Sequence, residues 1–494
     1  MSTELPESQL SLVLAAEDCD ATEFSRVHRF SSFENKIVRS LVAHGPVLLR
    51  GGRGSGKSAL LIQADRQMQS EPKVLSVYVS LRHLPLLRSE GAVYERIFCG
   101  LLVNAVNERI KVLGIDVPVI NRSVDIGELR HILNSLASRL NRRVVLIFDD
   151  AAHIGRESAL TEFFDIFRTI SSNVVSCKAA IYPGVTRFGV RFDVFNDATV
   201  IDVARDERSP EFAEFFHSVM QARFPQLIRK LDRARGIGAL KGSALVGRTV
   251  VGNMRAFVFA CSWLSERSKV GLPDFKDVLL QLASDYYWPL LDEVAPKLGP
   301  YEVLIDSCRS IGEIMFRRVG ATDSTSATVH RDIVQKLGKL FEILEYAGFI
   351  SRREASRAMK SGGRGPRYSL NLANLLETRP KASLTFDLMN RWLGNTSIEP
   401  AEFHISSNLI PLELPAIDSS HGLAVLELPT GSLAKSKTYV YGLTNRQINL
   451  LVENDFLAVK DVAEAADEQL LAVEGIGTKT LARIRNVVNQ AIWM

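Results

Sequence analysis

"LLRGGRGSGKSALL", residues 48–61, governs the reading of everything around it. Gly51, four residues, then Gly56, Lys57 and Ser58 form the pattern G-x-x-x-x-G-K-S; an apolar run from Pro46 to Leu49 precedes it, and Ala59, Leu60 and Leu61 follow. Strand, tight loop and helix therefore succeed one another. Glycines let the backbone N–H groups of such a loop turn inward around phosphate oxygens, and the helix that follows aims its positive end at the same anion. Gly51, Gly52, Arg53, Gly54, Ser55, Gly56, Lys57, Ser58 and Ala59 are the expected phosphate cradle. Within it Lys57 reaches the β- and γ-phosphates and Ser58 offers its hydroxyl to Mg²⁺. The expected cofactors are ATP and Mg²⁺.

Such a loop works with a second strand that carries carboxylates, and "RRVVLIFDDAAHI" (142–154) supplies one. Val144 to Phe148 reads as a strand buried on both faces, with Asp149 and Asp150 at its carboxyl end, where ligands sit in open α/β sheets. Asp149 is assigned to Mg²⁺, and Asp150 to positioning or deprotonating water. "KVLSVYVSL" (73–81), "CKAAIYPGVTRFG" (177–189) and "ATVIDVA" (198–204) read as further strands, while 90–114 and 124–141 show helical spacing. This alternation predicts an α/β core, a parallel sheet with helices on both faces.

At about 150 residues per domain, the 494-residue chain suggests three or so domains. It has no run of 18 apolar residues, and its acidic start lacks the basic flank of a secretory signal. A cytoplasmic protein without a membrane partner is expected. Cys19, Cys99, Cys177, Cys261 and Cys308 are too scattered for a zinc site or disulfide framework and read as buried thiols. The net charge of +4 is unevenly spread: residues 351–367 carry six basic side chains against Glu354, and residues 222–241 carry six against Asp232.

"TVHRDIVQKLGKLFEILEYAGFI" (328–350) places Ile333, Leu337, Leu340, Leu344 and Ala347 on one helical face and stops at Gly348. Two strand-like pieces follow, joined by the tip "MKSGGRG", and an apolar helix precedes (302–318). Together these read as a winged helix. Arg352, Arg353, Arg357, Lys360, Arg364 and Arg367 would meet duplex phosphates, with Arg352, Arg353, Arg364 and Arg367 the chosen contacts; a protein-facing winged helix is the open alternative. Prolines 400, 411, 415 and 429 interrupt residues 379–437, which read as a linker with some strand content. From Leu443 onward, short apolar helices lead to Gly475-Ile476-Gly477 and a last helix, the grammar of a helix-hairpin-helix domain. Its exposed N–H groups bind phosphate without reading sequence. Binding to protein is again the alternative.

The loop at 51–58, the strand ending in Asp149–Asp150 and "GNMRAFVFA" (252–260) resemble the AAA+ class, nearest its origin-recognition and initiator branch, with the signal-transducing NTPases as neighbours. The resemblance spans roughly residues 25–295 and implies a helical lid in which Arg255, in the sensor 2 position, touches the γ-phosphate. Asp150 stands where that family commonly has glutamate, which implies slow hydrolysis. Thr186 holds the sensor 1 position, and Arg187 and Arg191 are weak arginine-finger candidates. The last 57 residues resemble the carboxyl-terminal domain of the RNA polymerase alpha subunit, which implies that Arg446, Asn449, Gly477, Lys479 and Thr480 contact DNA, with Ile476, Leu481, Ile484 and Val488 in the core.

The expected division is an N-terminal tail (1–25), an ATPase core (26–205), a lid (206–295), a winged helix (296–378), a linker (379–437) and a helix-hairpin-helix domain (438–494). Expected partners are double-stranded DNA, further copies of the chain, and an effector or polymerase. Bacterial relatives of this architecture are associated with replication, mobile elements or antiviral defence. A nucleotide-bound scaffold or transcription regulator without catalysis is the competing expectation.

Overall fold

A computed structural model of the chain describes residues 16–493 except 88, 118–119, 121–122, 153–156, 185–187, 189–190, 235, 395–397, 408–409, 412, 418–423 and 436–441. Thr186 and Arg187 lie outside the described residues. Among these, no helix is long and apolar enough to cross a membrane.

Strands β1 (Val47–Arg50), β2 (Val74–Ser80), β3 (Arg143–Ala152), β4 (Val175–Ile181) and β5 (Thr199–Asp202) form one parallel sheet in the order β2-β3-β4-β1-β5. Its central strands are apolar on both sides. Val144, Leu146 and Phe148 of β3 pack with Phe98, Phe163, Phe164 and Phe167, while Val145 and Ile147 face Leu41, Leu60 and Ala64. That double burial is why the stretch reads as an unbroken apolar run and not as an alternating one. β3 differs from the sequence reading at one end: it runs on through the two aspartates to Ala152, with a shift of register after Phe148. Asp150 takes a left-handed backbone (φ +53°), and that bulge turns its side chain without ending the strand.

After β5 the chain becomes helical. Helices Glu211–Arg223, Pro225–Asp232, Gly238–Thr249, Met254–Glu266 and Leu272–Leu282 occupy the stretch expected of the lid, and a single π turn (Ala283–Tyr287) leads into the last helix of that stretch, Trp288–Val294. Next come helix Ile305–Gly320, β6 (Ser326–Val329), helix Arg331–Tyr346, β7 (Ile350–Ala358) and β8 (Arg364–Leu370), a helix pair with a two-stranded wing. Ile333, Leu337, Leu340, Leu344 and Ala347 are all buried, and the helix stops at Gly348 (φ +80°), where the Phe349 N–H donates to the Leu344 carbonyl at 2.9 Å. These helices and the helix pair with its wing share one continuous apolar core, from Phe212 through Phe257 and Leu291 to Leu344 and Trp392. They therefore form one mechanical unit beside the sheet.

Two segments do more than their sequence suggests. Residues 379–437 contribute helix Phe386–Leu393, whose Trp392 is buried in the lid core, and β9 (Ala401–Phe403), which extends the wing sheet to β7-β8-β6-β9. Val425, Leu426 and Leu433 belong to the separate core of the C-terminal domain, alongside Leu451, Ile484 and Val488. At the chain start, residues 16–27 are docked and not a tail: Ala16 and Phe24 pack on Ala59 of the P-loop helix (Lys57–Gln69). An Asp20–Glu23 capping box starts the helix Ala21–Val27 that carries Phe24.

Candidate functional site

The phosphate loop leaves the carboxyl end of β1, the aspartates sit at the carboxyl end of β3, and Tyr182 follows β4 between them. Lys57 fills this middle ground. Its ammonium donates to the Gly51 and Gly52 carbonyls (2.7 and 3.0 Å) and stands 3.7 Å over the Tyr182 ring. Burial pushes Lys57 down to about 7 against the upward pull of Asp150 and Asp149, and Arg255 adds to the depression. A buried cation in this condition favours an incoming polyanion. The P-loop helix carries no side-chain cap at its start, which suits phosphate there.

On the acidic side, Asp149 accepts from the Tyr78 hydroxyl at 2.5 Å and from the Asp150 N–H at 2.9 Å. Asp150 pairs with Arg82 at 2.6 Å, and the same guanidinium reaches Glu17 at 3.1 Å. Glu17, Asp149 and Asp150 bring carboxylate oxygens within 4.8 Å of one another. Burial, together with Asp149 and Glu17, raises Asp150 to about 7 in spite of Arg82 and Lys57. Glu17 is also raised, by burial first and by Asp149 second, and it is bonded to Ser58. The hard oxygen donors of Ser58, Asp149, Asp150 and Glu17 fit Mg²⁺ in kind. Glu17 was not legible as a site residue: it comes from the chain start, with nothing in its spacing to connect it to residues 149–150.

The lid meets the loop directly. The Met254 N–H donates to the Gly54 carbonyl at 2.8 Å, Asn253 packs on Gly54, and Arg255 lines the same cavity as Lys57 and Ser58. Asn253 caps its helix by accepting from the Ala256 N–H at 3.1 Å, so the G-N-M-R stretch is held as a helix start against the loop. Lys57, Ser58, Asp150 and Arg255 thus line one cleft. The helix Arg331–Tyr346 touches the loop as well. The Arg53 N–H donates to the Tyr346 carbonyl at 2.9 Å, and a side chain at Gly52 would come within 2.8 Å of the Glu345 carbonyl, an approach that glycine permits.

The far end of the cleft is apolar, lined by Val27, Phe30, Phe215, Val219 and Val258, with His28 among them. Sequence reasoning missed this end because no motif links residues 27–30 to the lid. The buried pair Glu34–Arg205 (2.6 Å) lines the same cleft, with Arg205 over the Phe215 ring at 4.3 Å. His28 stacks on Phe24, and its Nδ1 lies 3.2 Å from the Phe24 carbonyl, so the neutral ring donates there and leaves Nε2 as an acceptor. Burial and then Arg223 lower His28 to about 4. A histidine whose folded value lies below its unfolded value costs nothing above the unfolded value. It loses stability as pH falls toward the folded one, because the unfolded chain takes up a proton that the folded chain refuses. Between pH 7 and pH 5 the wild type is expected to lose about 2 kcal/mol more than His28→Gln in urea titrations; equal losses would place the ring in water.

The wing departs from its sequence reading. Arg353 and Arg367 do not face outward: the Arg353 side chain is 8% exposed and lies 2.8 Å from Glu207, and Arg367 is buried 2.7 Å from Glu354. Both turn inward because each finds a carboxylate there, Glu207 at the lid's start and Glu354 on the wing itself. Arg352 and Arg364 stay exposed, the latter donating to Ser356 at 3.0 Å. Arg357 and Lys360 each stand 3.6 Å from Glu399, and the N–H groups of Lys360 and Ser361 donate to Glu402. Residues read as a linker thus neutralise part of the wing. In the C-terminal domain Arg446, Asn449, Gly477 and Lys479 are exposed and Thr480 is half-buried, while Ile476, Leu481, Ile484 and Val488 are buried. Leu450 packs against Gly475, which sets the helix of Arg446 and Asn449 beside the hairpin. Arg191 is exposed.

No family model matches the chain, and no curated protein matches it significantly. Among solved structures, Cdc6p from Pyrobaculum aerophilum aligns over 76% of this chain and 98% of its own, at 12% identity and a TM-score of 0.33. Orc1 of Aeropyrum pernix in complex with DNA aligns over 75% and 96%, at 16% identity and 0.25. A signal transduction ATPase with numerous domains and a tetratricopeptide repeat sensor, from Pyrococcus horikoshii, aligns over 74% and 45%, at 11% identity and 0.29. On its own geometry the chain carries an α/β P-loop NTPase core, a parallel sheet with helices on both faces.

Proposed function

We propose that this protein is an ATP-dependent DNA-binding ATPase of the initiator-like AAA+ type, slow in hydrolysis, in which the nucleotide acts as a conformational ligand. The observation that carries the reading is the docking of the G-N-M-R stretch on the loop through Met254 and Gly54, which brings Arg255 to the same cleft as Lys57 and Ser58. A triphosphate held by Lys57 and the loop amides would present its terminal phosphate to Arg255. Ser58 and Asp149 would hold Mg²⁺, which supplies charge neutralisation when bound. Asp150, raised to about 7 and so a stronger base when ionised, would position water and accept its proton in that form, while its tie to Arg82 favours the ionised state. Phosphate release measured with and without duplex DNA tests this reading, with Lys57→Ala as the blank. No release above that blank would leave a nucleotide-bound scaffold.

The inward arginines of the wing shift the proposed DNA contact toward the C-terminal face of Arg446, Asn449, Gly477, Lys479 and Thr480. Replacing Arg446 and Lys479 together by alanine is expected to weaken duplex binding and to lower the slope of log affinity against log salt by about 2. An unchanged slope would assign that face to a protein partner.

A further inference from the structure

Arg53 occupies the third position of the phosphate loop, and its side chain is not spent on the loop itself. It is 6% exposed, and its Nη2 donates to Glu293 Oε1 at 2.8 Å, on the last lid helix. Lys297 reaches the same oxygen at 3.1 Å. Arg53 Nε and Nη1 are buried and have no hydrogen-bond partner among the described residues. A guanidinium rarely leaves buried donors empty, because each forfeits its hydration for nothing. The cavity it lines also holds Lys57, Ser58 and Arg255.

We propose that Arg53 is a phosphate-responsive tether: it holds Glu293 of the lid when the loop lacks a triphosphate, and passes to the terminal phosphate when one binds. This rests on the ATP reading above and adds what the terminal phosphate does. Three observations make the exchange physically feasible. A phosphate offers the planar fork two oxygens at once, filling donors that Glu293 leaves unused. Glu293 keeps Lys297 after Arg53 departs, so no buried carboxylate is stranded. The helices that carry Glu293 and Tyr346 share one core, and the Tyr346 carbonyl also accepts the Arg53 N–H, so releasing Glu293 acts on a unit already in contact with the loop. The ligand then binds the two states with different affinity, as a nucleotide switch requires.

Titration of the full-length chain with fluorescent ATP and ADP analogues tests the tether. Arg53→Gln is expected to weaken ATP binding about tenfold or more while ADP changes by no more than about twofold. Glu293→Gln, an isostere that frees the guanidinium, is expected to tighten ATP binding severalfold without a matching change for ADP. Equal losses of ATP and ADP at Arg53→Gln, or unchanged ATP binding at Glu293→Gln, would overturn the tether. If Arg53→Gln does not fold, the Glu293→Gln result decides alone. A wild type that binds neither nucleotide overturns the ATP reading and the tether together. A wild type that binds ATP, loses it in Lys57→Ala and shows no ATP–ADP difference at Arg53→Gln overturns the tether only.

Discussion

Lys57→Ala is expected to abolish ATP binding, with affinity falling by a hundredfold or more, while the nucleotide-free chain melts no lower than wild type. The two halves of that result have one cause. The ammonium is buried over Tyr182 and held down to about 7 by desolvation, against the pull of Asp150 and Asp149. A lysine whose folded value lies below its unfolded value carries a stability cost that grows as pH falls from the unfolded value toward the folded one, so at neutral pH its removal relieves the fold. A bound triphosphate reverses the sign by adding anionic oxygens that outweigh the desolvation. Thermal shift separates the two effects: ATP at a hundred times its dissociation constant stabilises wild type by about 2.7 kcal/mol and leaves the variant unmoved. A variant that still shifts would relocate the phosphates away from this loop.

The second large effect belongs to Glu34, which does two jobs. It closes the capping box of helix Ser32–Val42 by accepting from the Ser31 N–H at 2.8 Å, and it neutralises Arg205 at 2.6 Å in the wall of the cleft. Glu34 is 1% exposed and Arg205 8%, so Glu34→Ala leaves a buried guanidinium without its carboxylate. The expected cost is about 3–5 kcal/mol. Glu34→Ala with Arg205→Met should recover most of it, because the methionine stem keeps contact with Phe215 and no charge remains to be compensated. Urea unfolding of the four proteins of this cycle reads the coupling directly. A single variant that costs less than about 1 kcal/mol, with additive effects in the double, would mean that water reaches Arg205.

The parts of the site that a sequence reader finds are those that one stretch of chain builds alone. The loop from Gly51 to Ser58 carries its chemistry in its spacing, and β3 announces itself because burial on both faces admits only apolar residues. The bulge at Asp150 was not legible, since an aspartate in a left-handed conformation looks like any other aspartate. The wing shows the opposite failure. Six basic residues within 351–367 read as a phosphate-facing patch, yet Arg353 and Arg367 spend their charge on Glu207 and Glu354, and Glu399 meets Arg357 and Lys360. Charge counted along a chain carries no information about carboxylates that fold in from elsewhere.

Local pattern thus specified the phosphate loop, the aspartate strand, the helical face from Ile333 to Ala347 and the hairpin around Ile476, because each depends on neighbours within a few residues. Only the folded chain could bring Glu17 to Ser58, Glu293 to Arg53, Glu34 to Arg205 and the Tyr346 carbonyl to the loop. Those pairings are chosen by burial and charge compensation between segments far apart in sequence. Periodicity is blind to them, since a buried charge constrains what lies across from it in space and leaves its neighbours along the chain unmarked.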